Sequence, residues 1–224
     1  MKIIITDWRL QILKLNDLYA KIKGKRGWRA LIIYTTKLLR ERYKLKMPED
    51  YTVNKDIVDA VLTKERGVRM LEWGAKLFYF DRRKCIQLSH FASKFTLFLC
   101  NIKVNDLAQI GDLICRYFYD IYSDDEKTLD LLERYFKSAP IVCFDKLTDK
   151  SAISTLNRTQ LIFADDGYHF YEYIENGVLK TRQINEEVNT SWLFTRKING
   201  KTEYFYPKDR FRELLEEWCK NNLI

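Results

Sequence analysis

Lysine and arginine carry most of the chemistry this sequence offers. Lys21, Lys23, Lys25, Arg26 and Arg29 surround Trp28, and Lys37, Arg40, Arg42, Lys44 and Lys46 follow at once. Cations neutralise phosphates and an aromatic face accepts a stacked base, so this mixture suits a nucleic-acid groove. A solvated helix end with Trp28 packed on the core is the plainer alternative. No base-reading motif such as a zinc finger accompanies the cluster.

A second basic group stands at Asp81-Arg82-Arg83-Lys84, where a turn between two strands is expected. Adjacent arginines on a rigid hairpin can hold a phosphate bidentately, although charged turn tips are common. A third group is Lys150, Ser151, Ser154, Asn157 and Arg158. Ser151, Ser154 and Arg158 recur at steps of three and four and so share a helix face, and the helix start is a potential anion site. Capping and solvation explain the same residues.

The catalytic inventory is thin. The two histidines, His90 and His169, lie outside any metal-binding spacing. His169 follows Asp166 by three residues, which offers an acid–base couple. Asp124, Asp125 and Glu126 serve better as first-turn acids of a helix than as metal ligands. No phosphate-cradling glycine loop or nucleophile elbow is present, so no cofactor is expected.

The charge is unevenly placed. Residues 1–46 hold 13 basic and three acidic side chains, a net of +10, whereas the remainder holds 26 basic and 28 acidic. Such asymmetry points to a polyanionic partner, either nucleic acid or an acidic protein. No apolar run approaches the roughly 18 residues that cross a bilayer, and Asp7 and Arg9 interrupt the apolar start, so neither a membrane span nor a signal peptide is expected. Five cysteines without C-x-x-C spacing read as buried thiols of a reducing, cytoplasmic compartment.

The elements that must position these groups follow from periodicity. Residues 7–22 read as an amphipathic helix, with Trp8, Ile12, Leu15, Tyr19 and Ile22 on one face. A short β-run at 31–34 precedes a basic helix to about Tyr43, and Asn54 can cap a further helix. Strands at 73–80, 85–88 and 95–99 form an antiparallel meander. Helices cover 106–122 and the stretch after a Ser123/Glu126 capping pattern. A strand at 141–144 and a helix at 150–163 capped by Asp149 come next. Asn176-Gly177 argues for a hairpin, with 168–175 as a prolonged helix the alternative; Asn199-Gly200 marks a second hairpin, and Pro207 opens a last helix. The expected fold is α+β: an antiparallel sheet of meander and hairpins packed with several helices in one domain, 31–224, plus a helical basic extension, 1–30.

The string W-x-A-x-L-F at 73–78 followed by D-R-R-K at 81–84 resembles a bacterial family of unknown function. That family reads W-H-A-N-L-F followed by an N/D-R-R-K turn. Thr35-Thr-Lys-Leu-Leu39 resembles its opening, Lys150-Ser-Ala-Ile-Ser-Thr-Leu-Asn157 resembles its R-S-x-x-G-S-x-N-D stretch, and Ile184-Asn185 with Tyr206-Pro207 resembles its end. The resemblance spans about residues 31–214. It implies an intracellular bacterial protein, in the setting of a mobile element, and supplies no reaction. Gly74 stands where the family has His, Lys76 where it has Asn, and Arg158 where an acid is expected. Three functions remain open: a nucleic-acid-binding protein, a metal-independent ribonuclease of toxin type using His169 or His90, and a protein-interaction module of a defence or inhibitor pair docking through helix 7–22.

Overall fold

The computed structural model describes residues 29–51 and 55–222. The expected helix 7–22, the Asn54 cap and the candidate residues Lys21, Lys23, Lys25, Arg26 and Trp28 lie outside them. The fold is α+β, as the periodicity implies. Its frame is a five-stranded sheet of β1 (Ala30–Thr35), β2 (Glu72–Phe80), β3 (Arg83–His90), β4 (Thr96–Cys100) and β5 (Ile141–Lys146) in the order β4-β3-β2-β1-β5. The expected meander is β2-β3-β4, antiparallel throughout. The sheet as a whole is mixed, because β1 pairs in parallel with both β2 and β5. Parallel neighbours need long crossovers. Between β1 and β2 these are α1 (Lys37–Tyr43) and α2 (Lys55–Glu65); the chain then passes from β4 at one edge to β5 at the other, beside β1, through α3 (Ile110–Ile121) and α4 (Glu126–Ser138).

Strand alternation gives the sheet two apolar faces. Leu31, Ile33, Trp73, Ala75, Leu77, Ile86 and Leu88 pack in one cluster with α1, α3, α4 and α7 (Pro207–Asn222). Phe78, Phe80, Cys85 and Phe98 face the other way, toward Phe163 of α5 (Lys150–Asp165) and Ile184 and Val188 of α6 (Thr181–Thr190). Ile32 meets Val58 and Leu62 of α2 on that second face.

The outer edge of β4 is closed by side chains rather than by another strand. Asn189 of α6 accepts the Thr96 N–H at 2.8 Å and donates to the Thr96 carbonyl at 2.7 Å. Asn185, one helical turn earlier, does the same at Phe98, with 2.6 Å and 3.5 Å contacts. Four helical residues rise about 6 Å, and two strand residues span about 6.7 Å, so an i, i+4 pair of amides matches alternate residues of an edge strand. Both asparagines are fully buried. The edge that would otherwise recruit another chain is thereby satisfied internally.

Several local features differ from expectation. The cap of α4 is Asp125, not Ser123: its carboxylate accepts the Thr128 N–H at 3.0 Å and the Thr128 hydroxyl at 2.6 Å. The turn after β2 is two residues, Asp81-Arg82, with Arg83 and Lys84 already paired in β3. Before the Asn176-Gly177 hairpin, Phe170–Tyr173 forms a 3-10 turn, so β6 (Ile174–Glu175) and β7 (Val178–Leu179) are short. The Asn199-Gly200 hairpin joins β8 (Phe194–Ile198) to β9 (Lys201–Phe205). No described helix is long and apolar enough to cross a membrane.

Candidate nucleic-acid interface

The β2–β3 hairpin tip is built without glycine. Asp81 and Arg82 have φ of 45° and 65°, the left-handed pair that a two-residue hairpin of matching twist requires. Aspartate tolerates that region because its short side chain bonds locally, and here the Asp81 carboxylate accepts the Phe170 N–H and lies 3.4 Å from His169 Nδ1. The turn is thus pinned from behind. Arg82, Arg83 and Lys84 project from it, all exposed, and none has an acidic partner among the described residues.

A second basic group reaches the same end of the sheet. The Tyr43 hydroxyl at the end of α1 donates to the Ile102 carbonyl just beyond β4, at 3.2 Å. The adjoining end of β4, Cys100, pairs with Cys85, two residues from Arg83. Burial raises the Tyr43 hydroxyl pKa, and the neighbouring Arg42 guanidinium opposes the rise. Arg42, Lys44, Lys46 and Lys103 are exposed around it. Tyr79 is close enough to Tyr43 to add to the rise of its pKa. It faces the same side as Leu77, pairs across the ladder with Lys84, and remains 55% exposed. Sequence reading missed it, because alternation alone places Tyr79 with the core face of β2.

The other candidate cations divide. Arg29 is consumed by the fold: its guanidinium contacts Glu65 at 3.3 Å and Asn222 at 2.9 Å and lies 4.6 Å over the Trp218 ring. Arg40 donates to the Thr35 carbonyl. Lys37 is exposed in a 3.7 Å pair with Glu41, a contact worth little at a surface.

The stretch at 150–158 packs along β2. A methyl on Gly74 would lie 3.2 Å from Phe91 Cε1 and 3.3 Å from Leu156 Cδ1, so a side chain there would require both neighbours to shift by a few tenths of an ångström. Lys76 Nζ donates to Asn157 Oδ1 and Gln160 Oε1, both at 2.7 Å. Lys76, one departure from the family pattern, therefore contacts the residue just before Arg158, another departure. The start of α5 does not offer an open anion site: Asp149 caps it, accepting the Ala152 N–H at 2.9 Å, and pairs with Arg69 at 2.9 Å.

The histidines have different fates. His90 is fully buried; Ser93 N–H donates to its Nδ1 and its Nε2 reaches the Met70 carbonyl at 3.0 Å, which assigns the proton to Nε2. Burial pushes its pKa down to about 4, a neutral core residue. His169 is exposed, stacks on Tyr171 at 5.0 Å, and has Asp81 as its acidic neighbour in place of the expected Asp166. No three His, Cys, Asp or Glu side chains gather as a metal site among the described residues.

No curated protein matches the sequence. The profile of a family described as a domain of unknown function, DUF6933, matches residues 32–210, most of the chain, from the β1 strand through the start of α7. The chain belongs to that family.

Proposed function

We propose that this protein binds nucleic acid, mainly through its phosphates, at the end of the sheet formed by the β2–β3 hairpin and the end of α1. The observation that carries the reading is the exposed Tyr79 ring, paired across the ladder with Lys84 beside the Asp81-Arg82 turn, in a hairpin whose cations Arg82, Arg83 and Lys84 have no acidic partners among the described residues. Phosphate contacts need free cations, and base stacking needs an exposed ring. The arm residues Lys21, Lys23, Lys25 and Arg26 belong to the same reading as further phosphate contacts. The setting is the bacterial cytoplasm, in a mobile element or a defence system.

The test is binding of labelled single- and double-stranded DNA and RNA by the full chain at two salt concentrations. Arg82→Gly removes a cation and suits a φ of 65°, so it keeps the turn. Binding should weaken with salt, and each lost phosphate contact should reduce the log–log slope by about 0.7–0.9. Tyr79→Ala should cost about 1–3 kcal/mol on single strands. Salt-independent binding, or variants equal to the parent, would overturn the reading. The His169–Asp81 contact beside Arg82 favours one second reading, a metal-independent ribonuclease. Cleavage that disappears in His169→Ala would support it, and its absence in the parent would end it.

A further inference from the structure

The Lys76 ammonium is held in an unusual way. It is partly buried between β2 and α5, and among the described residues its contacts are two amide oxygens and no carboxylate. A partly desolvated cation ordinarily finds an opposite charge. Asp145, at the end of β5, is already paired with Arg66 at 2.8 Å.

The polarity of the surrounding amides follows from that lysine. Gln160 gives its oxygen to Lys76, so its Nε2 donates to Gln87 Oε1 at 3.3 Å. Gln87 is fully buried, and with its oxygen used, its Nε2 has no acceptor. Asn157 likewise gives its oxygen to Lys76 and turns its Nδ2 outward from an exposed position. Arg158 is exposed beside it without an acidic partner among the described residues. An ammonium carries three donors and two are used. The free polar groups of Lys76, Asn157, Arg158 and Gln87 are therefore all donors.

We propose that Lys76, Asn157 and Arg158 form a subsite for an oxyanion, the phosphoryl or carboxylate group of a small ligand, with Gln160 and Gln87 as positioning residues. Charge-assisted bonds to a half-buried site are the strong class of hydrogen bond, and an amide flanking an ammonium adds direction to charge. The subsite lies on the α5 face of β2, opposite the face that carries Tyr79, so it stands apart from the proposed nucleic-acid interface. Burial alone lowers the Lys76 pKa, and a bound oxyanion would raise it.

The experiment is a titration of the full chain with inorganic phosphate, followed through the side-chain amide resonances of Asn157, Gln160 and Gln87, with acetate and chloride arms at matched ionic strength. Saturable shifts with phosphate alone assign a phosphoryl ligand; saturation with acetate as well assigns a general carboxylate or phosphoryl site. Lys76→Gln should weaken the response by about tenfold or more, and Arg158→Gln should weaken it too. Shifts that match the chloride arm, or that persist in Lys76→Gln, would overturn the proposal. Should Lys76→Gln fail to fold, the exposed Arg158→Gln decides: undiminished binding there overturns it equally.

Discussion

The carboxylate of Asp81 accepts the backbone N–H of Phe170, 89 residues away. Phe170 in turn sets its ring 5.2 Å from Phe80 at the end of β2. The hairpin that presents Arg82, Arg83 and Lys84 is therefore tethered by a charged side chain as well as by the aromatic contacts of Phe80, which also reach Phe163 at 4.9 Å. Asp81→Gly separates the two roles of this residue, because glycine accepts a φ of 45° while removing the carboxylate. A hydrogen bond to a charged group is worth about 1.5–3 kcal/mol, less at a part-exposed site, so a net loss of about 1 kcal/mol is expected. Urea unfolding measures it, and amide exchange at Phe170 should quicken. A variant as stable as the parent, with Phe170 still protected, would show that the tether contributes nothing.

Closure of the β4 edge gives a second prediction. Asn189→Leu leaves the N–H and C=O of Thr96 without their partners in a buried place. Each orphaned group costs about 1–3 kcal/mol, so a loss of about 2–6 kcal/mol is expected. Asn185→Leu should cost less, since one of its two contacts is already long at 3.5 Å. Equilibrium unfolding of both variants checks the order. A loss below about 0.5 kcal/mol for Asn189→Leu, the scatter of ordinary surface changes, would refute the account.

What sequence reading captured was local in origin. Asn176-Gly177 and Asn199-Gly200 adopt the positive φ pairs their types favour, Asp149 caps α5, and Pro207 opens α7. What escaped it depends on partners far along the chain. The parallel pairing of β1 joins segments about 40 and 110 residues apart, and nothing within Leu31–Tyr34 states its neighbours. Lys76 and Asn157 are 81 residues apart, and His169 and Asp81 are 88 apart. Charge counting likewise found the cations but not their duties. Arg29 and Arg40 are spent inside the fold, whereas Arg82 and Arg83 have no acidic partner among the described residues, and only the positions of Glu65, Asn222 and the Thr35 carbonyl make that distinction. Sequence reading misses the helix Thr181–Thr190 altogether, and Asn185 enters only through the resemblance to the family's end. The fit of Asn185 and Asn189 to alternate strand residues emerges only when helix and edge lie side by side.

His90 gives the pH prediction. In the fold its pKa is pushed down to about 4, chiefly by burial, against the Met70 carbonyl bond that opposes the shift. In the unfolded chain it returns to its ordinary value of about 6.5. Between these values the unfolded state binds a proton that the folded state refuses, so stability rises with pH. The contribution is complete above about pH 6.5 and is lost as pH falls toward 4, on the order of 3 kcal/mol across the window. His90→Phe removes the titration. The Met70 carbonyl keeps a donor in that variant, because the Tyr135 hydroxyl also reaches it at 2.7 Å. The variant starts less stable at pH 7, having lost the Ser93 contacts, but its stability should fall less between pH 6.5 and 4 than that of the parent. Carboxylates titrate equally in both chains, so the difference between the two profiles isolates the imidazole. Parallel profiles across that window would mean that His90 takes up its proton without opening the core.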